Sequence, residues 1–260
     1  MNEVSNSFYK SFDVEMAESP RQVEEAYELR YDVYCLDREF ENAQCFPDKR
    51  EHDEFDRHSV HGLVRHTRTG KAIAGVRLVM SRSPHERAPF PMEGACLEAL
   101  TPAGRHVLRS TPRAQVAELS RFAVSREFRR RLGELDTPSG ASDRIRYIDQ
   151  ADGHRNLPYI TLGLFAAIVR LSDLHGITHW MAVMEPALLR LLQRFGIRFK
   201  HVGHIVNYHG RRKPVFDEAA AVLEGIRRDR PDVWAFITDD GRYFGGSERR
   251  DHDVRSQRRG

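Results

Sequence analysis

Apolar and polar residues alternate in some stretches of this chain and recur at helical spacing in others. Ser19-Pro20 reads as a helix N-cap followed by proline in the first turn, and Val23, Ala26, Tyr27, Arg30 and Tyr34 then share one face. This predicts a first helix running to about Cys35, with no earlier helical pattern. Residues 60–65 alternate as a half-buried strand does, Thr69-Gly70 offers a turn, and residues 73–80 complete an antiparallel hairpin. Five prolines between Pro84 and Pro112 leave room for at most a short helix near Leu97. Residues 115–124, with AELSRFAV at their heart, predict a central strand. A helix follows over 158–175, ended by Gly176, then a strand over 179–184 and a helix from Leu188 to Phe195, closed by Gly196. Residues 199–202 read as a further strand, 217–228 as a last helix and 233–238 as a final extended segment. Strands interleaved with helices in this order predict an α/β (α+β) fold, a mixed sheet with helices packed on its faces. No repeat or linker divides the chain. The expectation is one domain over residues 1–245 and a basic flexible tail over 246–260.

Composition narrows the class. The chain is 40% hydrophobic and 30% charged, as in a folded globular protein. Its most apolar stretch, 157–174, contains Arg170 and Asp173, which suits a buried helix better than a membrane span. The N-terminus has no basic segment followed by an apolar one, so a secretory signal is not expected. Three cysteines, Cys35, Cys45 and Cys96, form no CxxC pair and suggest reduced thiols. A cytoplasmic location follows. The net charge is only +3, yet Arg126, Arg129, Arg130 and Arg131 cluster, as do Arg211, Arg212 and Lys213. Such clusters attract acidic partners or are simply solvated. Nucleic acid is not expected as a partner, because neither a recognition-helix motif nor an aromatic-rich basic repeat is present.

Candidate chemistry centres on two segments. In the strand containing Glu118, strict alternation sends Glu118, Ser120 and Phe122 to one face, and Leu119, Arg121 and Ala123 to the other. A carboxylate between apolar neighbours on a central strand is costly unless it is paired or used. Burial would raise its pKa toward that of a general base for an amine. A structural ion pair with a neighbouring arginine explains the same residue equally well. The second segment, His52-Asp53-Glu54-Phe55-Asp56-Arg57, could bind an ammonium group, cap a loop, or pair with Arg30 and Arg77 in a structural network. His52, His58, His61 and His66 lack the spacing of a metal site, and no metal is expected. Neither a GxSxG nor a phosphate-binding loop is present.

Together, Arg30 and Tyr34, then Asp53, Asp56, Arg77 and Glu118-x-x-Arg121, resemble the pattern of acyl-homoserine-lactone synthases over residues 20–125. The stretches RYDVYCLDREFE, FPDKREHDEFDRHSVH, PFPMEGAC, AELSRFAVS, THWMAVMEPALLRLLQRFGI and YHGRRKP are similar to acyltransferases associated with the PEP-CTERM/exosortase system, over residues 20–240. That family is linked to long-chain N-acyl amino acid synthases.

The resemblance implies an acetyltransferase-like (GNAT-type), mostly antiparallel sheet. It also implies transfer of a long-chain acyl group from an acyl carrier protein thioester to the amine of an amino acid. Glu118 and Arg121 would be catalytic, with Arg121 bracing rather than reacting. Arg30, Tyr34, Phe40, Asp53, Asp56, Arg77, Phe122 and Val124 would bind substrates. Arg126, Arg129, Arg130 and Arg131 would receive the carrier or its phosphopantetheine phosphate. Leu162, Phe165 and Ile168 are candidates for an acyl tunnel, and ordinary core packing explains them at least as well.

Phe40 stands where the lactone synthases carry tryptophan, and Tyr34 where they carry phenylalanine. This favours a simple amino acid over S-adenosylmethionine as acceptor, with an S-adenosylmethionine-using signal synthase as the alternative. Residues 124–129 lack the glycines of an acetyltransferase pyrophosphate loop, which favours carrier protein over acyl-CoA as donor. No permanently bound cofactor is expected. Membrane contact would be peripheral, through the product or the basic tail.

Overall fold

The computed structural model describes residues 2–82, 88–130 and 157–244. The chain opens with two elements that residues 2–16 did not signal, helix α1 (Glu3–Tyr9) and strand β1 (Phe12–Met16). Phe8 and Phe12 explain them, since both are buried against the sheet and its covering helix, so tertiary burial supplies what a short, polar segment lacks. Helix α2 (Pro20–Arg30) starts as expected. Ser19 caps it, and Gln22 returns the bond in a capping box. It ends at Arg30 rather than Cys35, because residues Tyr31–Asp37 widen into a π-helical turn. A 3₁₀ turn, Glu54–His58, then leads into β2 (Ser59–His66) and β3 (Ala72–Met80), which form the expected antiparallel hairpin.

The proline-broken stretch holds two helices rather than one, α3 (Pro91–Cys96) and α4 (Pro102–Ser110). In each, proline occupies the first turn, where its missing N–H costs nothing. Strand β4 (Val116–Val124) follows close to expectation, then a short helix α5 (Arg126–Arg130) where the charged sequence from 126 reads as loop, and helix α6 (Leu157–Leu174), β5 (His179–Met184) and α7 (Pro186–Arg194) again follow close to expectation. Residues 199–202 form no strand of their own; His201 makes only an isolated bridge to Val215. The strands at this end are β6 (Val206–Asn207) and β7 (Arg211–Glu218), and α8 (Ala219–Asp229) follows them. The segment expected to be extended, 233–238, lies in α9 (Pro231–Thr238), with proline again at its start and a left-handed Asp239 at its end.

The seven strands run β1-β2-β3-β4-β5-β7-β6, and every neighbouring pair is antiparallel except β4–β5. This is the expected mixed, mostly antiparallel sheet. On one face α6 covers β1 to β4, and the main core there includes Phe165, Trp180, Leu188 and Phe236. On the other face a smaller cluster joins Met92, Cys96 and Leu108 of α3 and α4 to Val79, Val116 and Phe216 of the sheet. Leu29 and Val33 pack on Ala123 beside it. Helices therefore cover both faces.

Two irregularities create the site. The parallel ladder between β4 and β5 runs only from Val116↔His179 to Leu119↔Ala182, after which the strands part. Just beyond that point β4 carries a bulge. Ser120 pairs with Arg77 and Ala123 with Gly75, so Val76 alone opposes Arg121 and Phe122. Arg121 sits there in the left-handed region, at φ 50°. For a residue other than glycine this is a strained backbone that its surroundings must hold in place. The bulge corrects the strict alternation expected from sequence. Glu118, Ser120, Arg121 and Ala123 all lie on the face of α2 and α3, whereas Leu119, Phe122 and Val124 turn to the α6 side.

Candidate active site

Glu118 is 4% exposed and lies among the apolar residues of the smaller cluster. Its Oε2 accepts a hydrogen bond of 2.8 Å from the backbone N–H of Met92, at the start of α3. Burial pushes its carboxyl up to about 8. The Met92 N–H and the more distant Arg77 oppose the shift, and Glu93 adds to it. Near neutral pH this group exchanges a proton readily, as an acid–base catalyst must.

A network of three arginines and three carboxylates lies beside it. Arg30 donates from Nε to Glu51 at 2.5 Å, and from its two terminal nitrogens to Asp56 at 2.6 and 3.0 Å. Arg77 reaches Asp53 at 2.6 Å and Asp56 at 3.1 Å, and its Nε donates to the Ser120 hydroxyl at 3.0 Å. Arg121 donates to Glu51 at 2.8 Å and to Asp53 at 3.2 Å, with Glu41 at 3.6 Å. Burial alone would raise the Glu51 carboxyl, but Arg121 and Arg30 bring it down to about 2. Asp56 is also lowered, through Arg30 and Arg77, against the same effect of burial. His61 is buried beside Asp56, and desolvation together with Arg30 lowers its pKa to about 4. It is therefore neutral at pH 7. Asp53 and Asp56 also cap the 3₁₀ turn reciprocally, which fixes the two carboxylates toward the arginines.

Where β4 and β5 part there is a cavity of about 80 Å³. Its lining divides by chemistry. Leu119, Phe122, Phe165, Ile168, Leu188 and Leu192 are apolar and come from the α6 and α7 side, while Tyr34, Ser120, Arg121, Glu185 and Arg212 form the polar part. Arg121 lies 5.2 Å from the Tyr34 ring centre. Burial pushes the Tyr34 hydroxyl up to about 12, so it stays protonated. Phe40 stands next to Tyr34, with ring centres 6.3 Å apart, and next to His209 of the β6–β7 turn, at 5.1 Å.

Of the residues singled out from sequence, Tyr34, Arg121 and Phe122 line this cavity. Glu118 lies behind its wall, one residue before Leu119. Arg30, Asp56 and Arg77 are buried in the ion-pair network and do not line it, so their geometry is that of a scaffold holding Arg121. Val124 is fully buried opposite Ala74, because the strand has returned to regular pairing after the bulge. It does not reach the cavity. Leu162 is core, whereas Phe165 and Ile168 line the cavity. Arg126 is half exposed and pairs with Asp37 at 3.1 Å. The side chains of Arg129 and Arg130, residue Arg131 and the tail over 246–260 lie outside the described residues.

Sequence reasoning missed Glu51, which joins Arg30 to Arg121 from 21 and 70 residues away. Its only signal was its place in the acidic run next to His52. It also missed Glu185 and named Arg212 only as a member of a basic cluster; the sheet topology brings the two together. Among the described residues no group of histidines, cysteines and carboxylates could hold a metal ion, and no helix is long and apolar enough to cross a membrane.

The acetyltransferase (GNAT) domain family matches residues 29–136, the part that carries the π turn, the ion-pair network and β4. That stretch is similar to an acetyltransferase (GNAT) domain. Solved structures extend the likeness over most of the chain. TofI, in a ternary complex with an inhibitor and MTA, is 19% identical with a TM-score of 0.55, covering 85% of this chain and 98% of its own. BjaI, a CoA-dependent acyl-homoserine lactone synthase with SAM and isopentyl-CoA, is 18% identical with a TM-score of 0.53, covering 88% of each chain. FeeM, an N-acyl amino acid synthase from uncultured soil microbes, is 11% identical with a TM-score of 0.51, covering 82% of this chain and 93% of its own. At these identities the likeness establishes a shared fold. Comparison with curated proteins finds no match.

Proposed function

We propose that the protein is an N-acyltransferase that moves a long-chain fatty acyl group from an acyl carrier protein thioester to the amine of an amino acid. The observation that carries this reading is the cavity where β4 and β5 separate, apolar on one side and polar on the other. An acyl thioester has the same two-sided character. The start of its chain lies against Phe122, Phe165, Ile168 and Leu188, since about 80 Å³ holds only a few carbons and a longer chain requires these side chains to part; its carbonyl then lies at the β4 bulge, where Phe122 stands outside the ladder register. The bulge N–H is suited to receive the developing oxyanion.

The amine approaches on the side of Tyr34, Ser120 and Arg121. Its nitrogen attacks the thioester carbonyl carbon. A C–N bond forms and the C–S bond breaks, while Glu118 takes the proton lost by nitrogen and returns it to the departing sulfur, so that the carrier leaves as a thiol. Because Glu118 lies behind the cavity wall, that transfer runs through water. Arg121 stays protonated and holds the bulge against Glu51 and Asp53. Arg126 and the arginines that follow it at the end of β4 meet the acidic carrier or its phosphate.

An amino acid as acceptor rests on the resemblance to the exosortase-associated acyltransferases and on Phe40. The reading places the protein in the cytoplasm, with membrane contact only through its product or tail. The test is incubation of purified protein with acyl carrier protein thioesters and single amino acids, followed by thiol release and by mass spectrometry of the amide. An amide made by wild type and lost in Glu118→Gln supports the reading. Absence of any amide, or undiminished rates in the variant, refutes it. Including S-adenosylmethionine in the same assay tests the signal-synthase alternative, which requires its consumption.

A further inference from the structure

The opening between β4 and β5 contains an ion pair that the reaction above does not use. Glu185 follows β5 and precedes α7, and Arg212 lies near the start of β7. The β5–β7 ladder pairs Met184 with Lys213, so the next step brings these two residues opposite each other. Arg212 Nη2 lies 3.2 Å from Glu185 Oε1, with side chains 13% and 8% exposed. Arg212 Nη1 also donates to the Arg211 carbonyl at 3.3 Å. Both residues line the polar part of the cavity.

The two arginines of that lining are not equivalent. Arg121 already donates to two carboxylates and has a third at 3.6 Å, so a further anion would meet strong competition there. Among the described residues Arg212 has one carboxylate partner, and a guanidinium offers five N–H donors in a planar fork that fits a carboxylate. An ion pair in a largely buried setting adds little to stability for its own sake, because desolvation offsets much of the attraction. A pair kept at the edge of a reaction cavity is better explained by what one member binds. The β6–β7 turn steers Arg212 inward, with His209 and Gly210 both in the left-handed region just before it, and His209 closes the same side against Phe40.

We infer that Arg212 is a specificity residue that receives the α-carboxylate of the acceptor, with Glu185 holding the guanidinium in position. The inference rests on the amide-forming reading and deepens it. The acceptor is then an α-amino acid with a free carboxylate, and a simple amine or an amino acid amide is a poor substitute.

The experiment compares an amino acid with its carboxamide and its decarboxylated amine as acceptors, at saturating carrier thioester. Wild type is expected to prefer the acid by about tenfold or more in kcat/KM, since a site built for a polar group rejects analogues that lack it. Arg212→Gln should bring that ratio toward one, chiefly by raising KM for the acid, with KM for the thioester little changed. Arg212→Lys should retain part of the preference. The paired change Glu185→Gln with Arg212→Gln removes both charges at once and guards against misfolding from an orphaned carboxylate, with Tm as the check. A wild type that acylates amide and acid equally well, or an Arg212→Gln enzyme with undiminished preference, overturns the assignment and leaves the acyltransferase standing. A wild type that acylates no amine overturns the amide-forming reading, and the assignment falls with it.

Discussion

Glu118→Gln should make the protein more stable at alkaline pH while removing its activity. Glutamine keeps the shape and can still accept the Met92 N–H, which Glu118 takes at 2.8 Å. What it removes is the obligation to bury a negative charge. The native carboxyl titrates at about 8, raised from 4.5 by burial. The stability associated with this group is therefore fully present below pH 4.5 and is lost as pH rises through 8. With about 1.4 kcal/mol per pKa unit, wild type forfeits about 3 kcal/mol by pH 7 and between 4 and 5 kcal/mol by pH 9. The variant does not titrate there and forfeits none of it. Urea unfolding at pH 5, 7 and 9 measures the difference, which should widen by about 2 kcal/mol between the first two values. Turnover should fall by about 10²–10⁴-fold, and the wild-type rate should climb with pH toward a plateau above 8. A stability difference independent of pH would refute the reasoning, because it would mean that the carboxylate is solvated or fully paired.

Glu51→Gln acts in the opposite direction. It leaves Arg30 and Arg121 short of a buried partner and should cost about 3–5 kcal/mol at pH 7 in urea unfolding. A loss under about 1 kcal/mol would remove Glu51 from the scaffold. Since its native carboxyl is lowered to about 2, the advantage of wild type over this variant should be constant above pH 4.5 and shrink as pH falls toward 2. Ile168→Phe fills the apolar side of the cavity at a cost of about 1–3 kcal/mol. It should shift donor preference toward short acyl chains, and equal use of long and short chains by the variant would place the acyl group elsewhere. The acid-over-amide ratio of Arg212 variants tests the acceptor side.

Much of the sheet was legible because its central strands follow simple burial rules. Residues 59–66, 72–80 and 179–184 are apolar where they face a core, and residues 160–169 of helix α6 are nearly all apolar because they are buried on every side. The burial of Glu118 was legible for the same reason. Strand β7 was not, since RRKP reads as a basic cluster for an acidic partner or for solvent, whereas Arg212 lines a cavity. The run VWAFIT looks like a strand in isolation; Pro231 in the first turn and packing against α6 and α8 make it helical. Five of the six residues of the ion-pair network were visible as residue types, and pairing of the acidic run with Arg30 and Arg77 was among the readings it allowed, but the links made by Glu51 were not visible. Glu51 finds Arg121 only after β4 and the 3₁₀ turn are folded together, and nothing in RFAV announces an arginine in a left-handed backbone.

One extra residue in β4 decides what faces what. Deleting Phe122 would restore an uninterrupted pleat in which position 121 turns to the opposite face from Ser120, while 123 and 124 keep their faces. A guanidinium would be driven into the hydrocarbon under α6, and the carboxylates it now neutralises would be left facing one another. Loss of the residue after Arg121 is therefore opposed by electrostatics even where the hydrogen-bonded ladder could absorb it.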